Sequence, residues 1–265
     1  MTWHFDAETG GEPDGPGRWR VRVSPHWNIA DNPNGGYAAA LVGRAMAQVA
    51  GHEAPITMTT HFLRPAVAGA DATVEARLVR AGRRTSTVEG TLVQDGTERL
   101  RVLAAFAELT AGAGEGEALL AMDPPELPPP EECRSRLTLE QGVTLPIAER
   151  VEVRIHPDLA DPGSAGRAEV AGWIRLADGR PTDAAVLPLL ADAFPPSLFG
   201  LLGRVGWVPT VELTVHVRAR PHPGWVRARF VTRDLRQGRL VEDGDLWDQD
   251  GTLVARSRQL ALLLP

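Results

Sequence analysis

The sequence predicts an α+β fold built twice over, two tandem units each with a curved antiparallel sheet wrapped around a central helix. Three observations predict it. Short motifs recur at an offset of 155 residues: "HFLRP" at 61–65 against "HVRARP" at 216–221, and "QDGT" at 94–97 against "QDGT" at 249–252. Around each copy the same order of patterns appears, one apolar helical segment followed by a run of alternating, strand-like segments. Between the copies lies "GAGEGEALLAMDPPELPPPEEC", whose glycines and prolines carry neither period and read as a connection.

In chain order, the first unit spans residues 1–112. Its segment "GGYAAALVGRAMAQVA" predicts a helix over 35–50, followed by strands in "ITMTT", "ATVEARLVRAG", "STVEGTLVQDG" and "RLRVLAAFAEL". Residues 113–146 form the linker. The second unit, 147–265, repeats the order, with "AAVLPLLADAF" predicting a helix over 183–199 and strands in "TVELTV", "WVRARFVTRDL", "RLVEDGDLWDQDG" and "LVARSRQLALLL". One helix with four or more antiparallel strands packs by letting the sheet curl around the helix, the arrangement called a hotdog. Two such units make a double hotdog, whose sheets can join edge to edge and hide their unpaired strand edges.

The composition fits a folded globular chain: of 265 residues, 43% are hydrophobic and 23% charged. A net charge of −6 speaks against a general nucleic-acid binder, which would carry a basic patch. The opening "MTWHFDAETGGEPDG" shows neither a basic nor an apolar targeting region, so a cytoplasmic location is expected. The apolar stretch 184–203 is broken by Pro188, Pro195 and Pro196, so no membrane span is expected. Cys133 is the single cysteine, which leaves no intrachain disulfide and no cysteine metal cluster. No phosphate-binding loop, histidine-rich metal spacing or G-x-S-x-G elbow occurs, and neither a metal nor an organic cofactor is expected.

The chemistry-bearing residues lie in the second unit. Asp192 is the one ionisable side chain in the twenty residues "AAVLPLLADAFPPSLFGLLG". Taking a carboxylate out of water is costly unless something compensates it. Taken alone, Asp192 could hydrogen-bond backbone at a kink made by the nearby prolines. In the last strand, Leu253, Ala255, Ser257, Gln259, Ala261 and Leu263 share one face, and Gln259 is its larger polar member, a buried amide in want of partners. Thr210 begins "TVELTVHV" on the parity opposite to Val211, Leu213, Val215 and Val217. It follows Pro209, and spacing alone does not say which way its hydroxyl turns.

These residues resemble the acyl-CoA thioesterase II family, with Asp192 in "LLADAFPP", Thr210 in "PTVELTVHV", and Gln259 in "LVARSRQLA". In the first unit, "NGGYAAALVGRAM" and "HFLRP" carry the same likeness, so the resemblance covers nearly the whole chain. It implies hydrolysis of acyl-CoA to free acid and coenzyme A. An Asp on the second helix, a Thr opening the next strand and a Gln near the C-terminus would together hold the hydrolytic water, here Asp192, Thr210 and Gln259. It also implies a homodimer of double hotdogs. The segment after Asp192, "AFPPSLFGLLGRVGW", is more apolar than the family's, a departure that bears on substrate identity.

Asn34, Gly35 and Gly36 open the first helix, and unpaired N–H groups there could polarise a thioester carbonyl as a weaker substrate-binding set. Arg83 and Arg84 could meet coenzyme A phosphates, whereas His61 and His216, at the shared offset, mark fold position. Two rival readings remain. A hotdog enoyl-thioester hydratase or dehydratase would want an Asp and His pair near the helix entry, where "ADNPNGGY" offers Asp31 and no following His. A non-catalytic acyl-thioester-binding protein would result if the apolar segment after Asp192 closes the cleft.

Overall fold

Asn34 starts the long helix of the first half, α1 (Gly35–Ala50), by accepting a hydrogen bond on its side chain from the Tyr37 N–H at 2.9 Å. Gly51 ends it in the left-handed conformation, φ 70°, which a residue without Cβ takes at no steric cost. Ala38, Leu41, Val42, Ala45 and Met46 recur at helical spacing and are all buried. The sheet lies close against this face. A Cβ at Gly90, on the facing strand, would stand 2.5 Å from Val42 Cγ1 and 2.8 Å from Met46 Sδ, so glycine there sets the helix-to-sheet distance.

The computed structural model describes residues 2–109, 120–139, 142–203 and 208–264. The first half supplies strands β1 (Arg18–Arg22), β2 (Ala54–Phe62), β3 (Asp71–Arg80), β4 (Ser86–Gln94) and β5 (Thr97–Ala107). The second half supplies β6 (Val151–Ile155), β7 (Glu169–Leu176), β8 (Thr210–Val217), β9 (Val226–Arg236), β10 (Arg239–Asp248) and β11 (Leu253–Leu262). All join one antiparallel sheet in the order β1-β3-β4-β5-β2-β8-β11-β10-β9-β7-β6, with two-residue strands at Glu12–Pro13 and Arg134–Ser135 on its two edges. Read outward from the β2–β8 junction, the two halves show the same strand order. This is a double hotdog, and the edge-to-edge join removes one free edge from each half.

The hairpin between β4 and β5 turns on Asp95 and Gly96, both at positive φ (48° and 70°), the turn that matches strand twist. The same "QDGT" in the second half connects β10 and β11, where Asp248 instead gathers the N–H groups of Asp250 and Thr252 on its carboxylate.

The second helix differs from the expectation of 183–199. The structure has one helical turn, α2 (Leu187–Leu190), and a separate one at Phe199–Leu202. Pro195 and Pro196 have no N–H to donate and push the residue before them out of helical geometry, so the chain leaves the helix before reaching them. Asp192 consequently sits in the turn just after α2, its N–H donating to the Leu189 carbonyl at 3.1 Å. Leu187, Leu189 and Leu190 are fully buried and pack α2 into the core against α1.

The described part of the connecting segment lies along the second half. Pro128 O accepts from Trp173 Nε1 at 2.8 Å and Met122 O from Trp247 Nε1 at 2.9 Å, anchoring a stretch without periodicity through its backbone carbonyls. Cys133 is buried there, which pushes its thiol pKa up. Residues 113–119 and 140–141 of the expected linker lie outside the described residues.

Candidate active site

A β-bulge decides where Thr210 points. Thr210 pairs with Ala261, but the next pair is Glu212 with Leu260, so Val211 is the extra residue and the side-chain parity of β8 flips across it. Cross-strand partners share a face, and Thr210 therefore lies on the same side as Ala261 and Gln259. Its Oγ1 donates to Gln259 Oε1 at 3.2 Å. The other end of the amide, Nε2, donates to Glu242 Oε1 at 3.0 Å, from the neighbouring strand in direct register.

Sequence reasoning did not single out Glu242, which is buried. Its second oxygen accepts the Ser197 N–H at 2.7 Å. Burial raises the pKa of this carboxyl, while the bonds from Ser197 and Gln259 oppose the rise. A signal was available in the sequence: Glu242 lies on β10 with Gly244 and Leu246, whereas the charges at Asp243 and Asp245 alternate outward to Arg258 and Arg256.

Asp192 lies against the N-terminus of α1. Its Oδ2 accepts from the Gly36 N–H at 2.8 Å and from Asn34 Nδ2 at 2.9 Å, while its backbone carbonyl takes a second bond from Asn34 Nδ2 at 2.8 Å. Asn34 thus performs two tasks, capping α1 with its oxygen and holding Asp192 with its nitrogen. The approach demands glycine: a Cβ at Gly36 would come within 2.8 Å of Pro188 O and 2.9 Å of Asp192 Cβ. Asp192 is open only in part, at the cavity it lines, and its carboxyl is packed round by protein. Desolvation pushes its pKa up to about 6, opposed by the Gly36, Asn34 and Gly35 donors and helped by the negative charge of Glu242.

Asp192, Thr210, Gln259 and Glu242 all line one cavity of about 650 Å³, together with Asn34 and Gly35 at the start of α1 and Phe62 at the end of β2. Asp192 is hydrogen-bonded to neither Thr210 nor Gln259; the cavity is what they share. The three residues expected from the second unit are brought together, and the helix start of the first unit completes the wall. The Gly36 N–H is engaged by Asp192, and the Tyr37 N–H by Asn34. Arg83 and Arg84 lie in the bend between β3 and β4 and do not line this cavity, and neither His61 nor His216 does.

A second cavity, of about 360 Å³, occupies the related position in the other half, with Pro55 and Gly43 in its wall. The β2 strand repeats the bulge at Ile56, so Pro55 stands where Thr210 does. Asn34 caps α1, and Asp183 accepts from the Ala185 and Val186 N–H groups in the turn leading into α2; Gly43 and Asp192 each lie nine residues beyond. Ala104 corresponds to Gln259. The second cavity therefore has no counterpart of the Asp192 carboxylate, the Thr210 hydroxyl or the Gln259 amide, and its charged lining is Arg44, Glu53, Asp183 and Arg220.

Comparison with known proteins agrees with this architecture. Residues 23–107 match the family described as the acyl-CoA thioesterase N-terminal domain, and residues 124–263 the acyl-CoA thioesterase C-terminal domain. A solved structure of a candidate thioesterase II from Thermobifida fusca is 33% identical, with a TM-score of 0.88 over 99% of this chain and 98% of that one. A conserved protein of unknown function with a hotdog fold from Alicyclobacillus acidocaldarius is 27% identical, with a TM-score of 0.84 over 100% of this chain and 99% of that one. An uncharacterised protein of Mycobacterium tuberculosis is 28% identical over 263 residues, covering 91% of this chain and 89% of its own.

Proposed function

The chain belongs to the acyl-CoA thioesterase family, and on that premise we propose that it hydrolyses acyl-CoA thioesters to the free acid and coenzyme A, with Asp192 as general base. The observation that carries this reading is the desolvated Asp192 carboxylate in one cavity wall with the Thr210–Gln259 pair. With its pKa near 6, Asp192 is ionised at neutral pH and is a stronger base than an exposed carboxylate.

Each polar contact has a use in that chemistry. The bonds from Asn34 and Gly36 end on Oδ2, which leaves Oδ1 to accept a proton from water. Glu242 is an acceptor, so it draws the Gln259 NH₂ toward itself and turns Oε1 to Thr210 and the cavity. A water between Asp192 Oδ1 and Gln259 Oε1 can give one hydrogen to each and keep a lone pair for the thioester carbon. As the new C–O bond forms, Asp192 takes the proton. The C–S bond then breaks, and the proton leaves with the thiolate as the coenzyme A thiol.

A hydratase or dehydratase with an Asp and His pair gains no support, because no histidine lines the cavity among the described residues. Among the described residues the segment after Asp192 lines the cavity with Phe194, Pro196 and Phe199, and acyl-CoA binding without thiol release would favour a purely binding role. No helix among the described residues is long and apolar enough to cross a membrane. A cytoplasmic location and a homodimer of double hotdogs belong to the same proposal on the family likeness, and sedimentation at micromolar concentration tests the dimer.

Thiol release from a panel of acyl-CoA lengths tests the function. Turnover by the wild type and its loss in Asp192→Asn are expected; a panel without turnover overturns the reading.

A further inference from the structure

Arg136 is a cation in the wrong place for a structural side chain. It lies in the connecting segment, on a short helical turn (Arg136–Thr138), and its guanidinium is fully buried in the wall of the catalytic cavity. Among the described residues no Asp or Glu pairs with it. Its Nη1 donates to the neutral carbonyl of Ala193, and its Nε, also buried, has no partner among the described residues. Burial with nothing to offset it pushes its pKa down to about 10, which still leaves it charged at neutral pH. A buried guanidinium that meets no counter-charge among the described residues is costly to the fold, and most of its donors match a planar two-oxygen anion.

We propose that Arg136 binds a carboxylate at the far end of the acyl group, so that the preferred substrates are thioesters of dicarboxylic acids. This rests on the thioesterase reading of the same cavity and names its substrate class. Two other anionic parts of an acyl-CoA fit worse. The nucleotide phosphates are bulky and charged and stay at the mouth, where the exposed Arg64 is available. The carboxylate formed on hydrolysis arises where Asp192 and Gln259 would hold the water, whereas Arg136 Nη1 is turned to the Ala193 carbonyl. An acyl chain is slim enough to reach inward, with Leu145, Phe194, Phe199 and Leu262 of the same wall to cover its methylenes.

The test compares adipoyl-CoA with hexanoyl-CoA, equal in carbon number and different in the terminal carboxylate. Wild type is expected to favour adipoyl-CoA in kcat/KM by at least about tenfold, and Arg136→Met to lower that ratio by at least about tenfold. A wild type that favours hexanoyl-CoA, or a variant in which the ratio is unchanged, overturns the inference. Calorimetric titration of wild type with adipate and hexanoate needs neither turnover nor a folded variant. Adipate is expected to bind at least about tenfold more tightly, and equal affinity overturns the inference. Selective adipate binding without hydrolysis of either thioester would sustain this inference while the hydrolase reading fails.

Discussion

The hydroxyls of Thr59 and Thr214 meet at 2.9 Å across the β2–β8 junction, and the two residues are 155 apart in the sequence. They also face each other in register, with His61 opposite Glu212 on one side and Thr57 opposite His216 on the other. The offset that relates the sequence motifs therefore relates the strands, and the pseudo-twofold axis of the molecule passes between these two threonines. A site on one side of that axis has a counterpart on the other. Here the counterpart keeps a cavity, lined by Arg44, Glu53, Asp183 and Arg220, but has Gly43 and Pro55 at the positions of Asp192 and Thr210, so all predictions of activity concern the Asp192 side.

The pH profile of kcat/KM is expected to fall on the acid side with a midpoint near pH 6, because Asp192 acts as a base only when ionised and its pKa is pushed up to about 6. Measurement across pH 4.5–8 checks this, and a midpoint near that of an exposed carboxylate, about 4, would remove Asp192 from the role of base.

Asp192→Asn is expected to lower kcat by at least about a hundredfold, the scale of losing a positioned general base. It should also stabilise the fold. Since the folded state holds the proton more tightly than the unfolded chain does, the wild type loses stability as pH rises from about 4 to about 6 and stays lower above. Asparagine avoids that cost, which for about two pKa units is about 3 kcal/mol at most. Urea unfolding at pH 8 should show the variant above wild type and at pH 4 a difference near zero; a less stable variant at pH 8 would contradict the assignment of a desolvated, ionised Asp192.

How much of this was legible depended on whether a residue obeys local or tertiary rules. The first helix followed from spacing and its cap, and Asp192 stood out as a lone charge in an apolar run. Thr210 did not, because the bulge at Val211 reverses its side by inserting one residue in a ladder, and a stretch such as "PTVELTV" alternates alike with or without it. The second helix was overextended because Leu, Ala and Phe around Asp192 have helical character, whereas the two prolines decide the outcome. Glu242 was hidden among Asp243 and Asp245 in a strand of charges, and only its cross-strand partner, Gln259, reveals which of them turns inward.

Glu242→Gln is expected to act on turnover through Gln259. An amide in place of the carboxylate can offer either end to Gln259, so Oε1 is no longer held toward Thr210, and kcat should fall by about tenfold. The acid midpoint should move to lower pH at the same time, because the negative charge of Glu242 is one of the causes that raise Asp192. Gln259→Ala should lower kcat at least as much while leaving the midpoint close to that of wild type. A Glu242→Gln profile that shifts upward would refute this arrangement.

One catalytic centre per chain is expected, not two. Titration with a non-hydrolysable thioether analogue of the best substrate should give one equivalent bound per chain, since the second cavity has Gly43 and Pro55 where the first has Asp192 and Thr210, and Ala104 stands at the sequence position of Gln259. Filling that cavity should not reach the chemistry. Ala47 lines it on α1, beyond the helix start that holds Asp192. Ala47→Leu adds volume in a cavity with room for it, so kcat should stay within about twofold of wild type, the range of a substitution away from the reacting groups. Two equivalents of analogue, or a turnover cut by half or more in Ala47→Leu, would show that the duplicated half takes part. The asymmetry has a physical reason: a buried carboxylate costs stability wherever it stands, and a chain that needs one base has no use for a second.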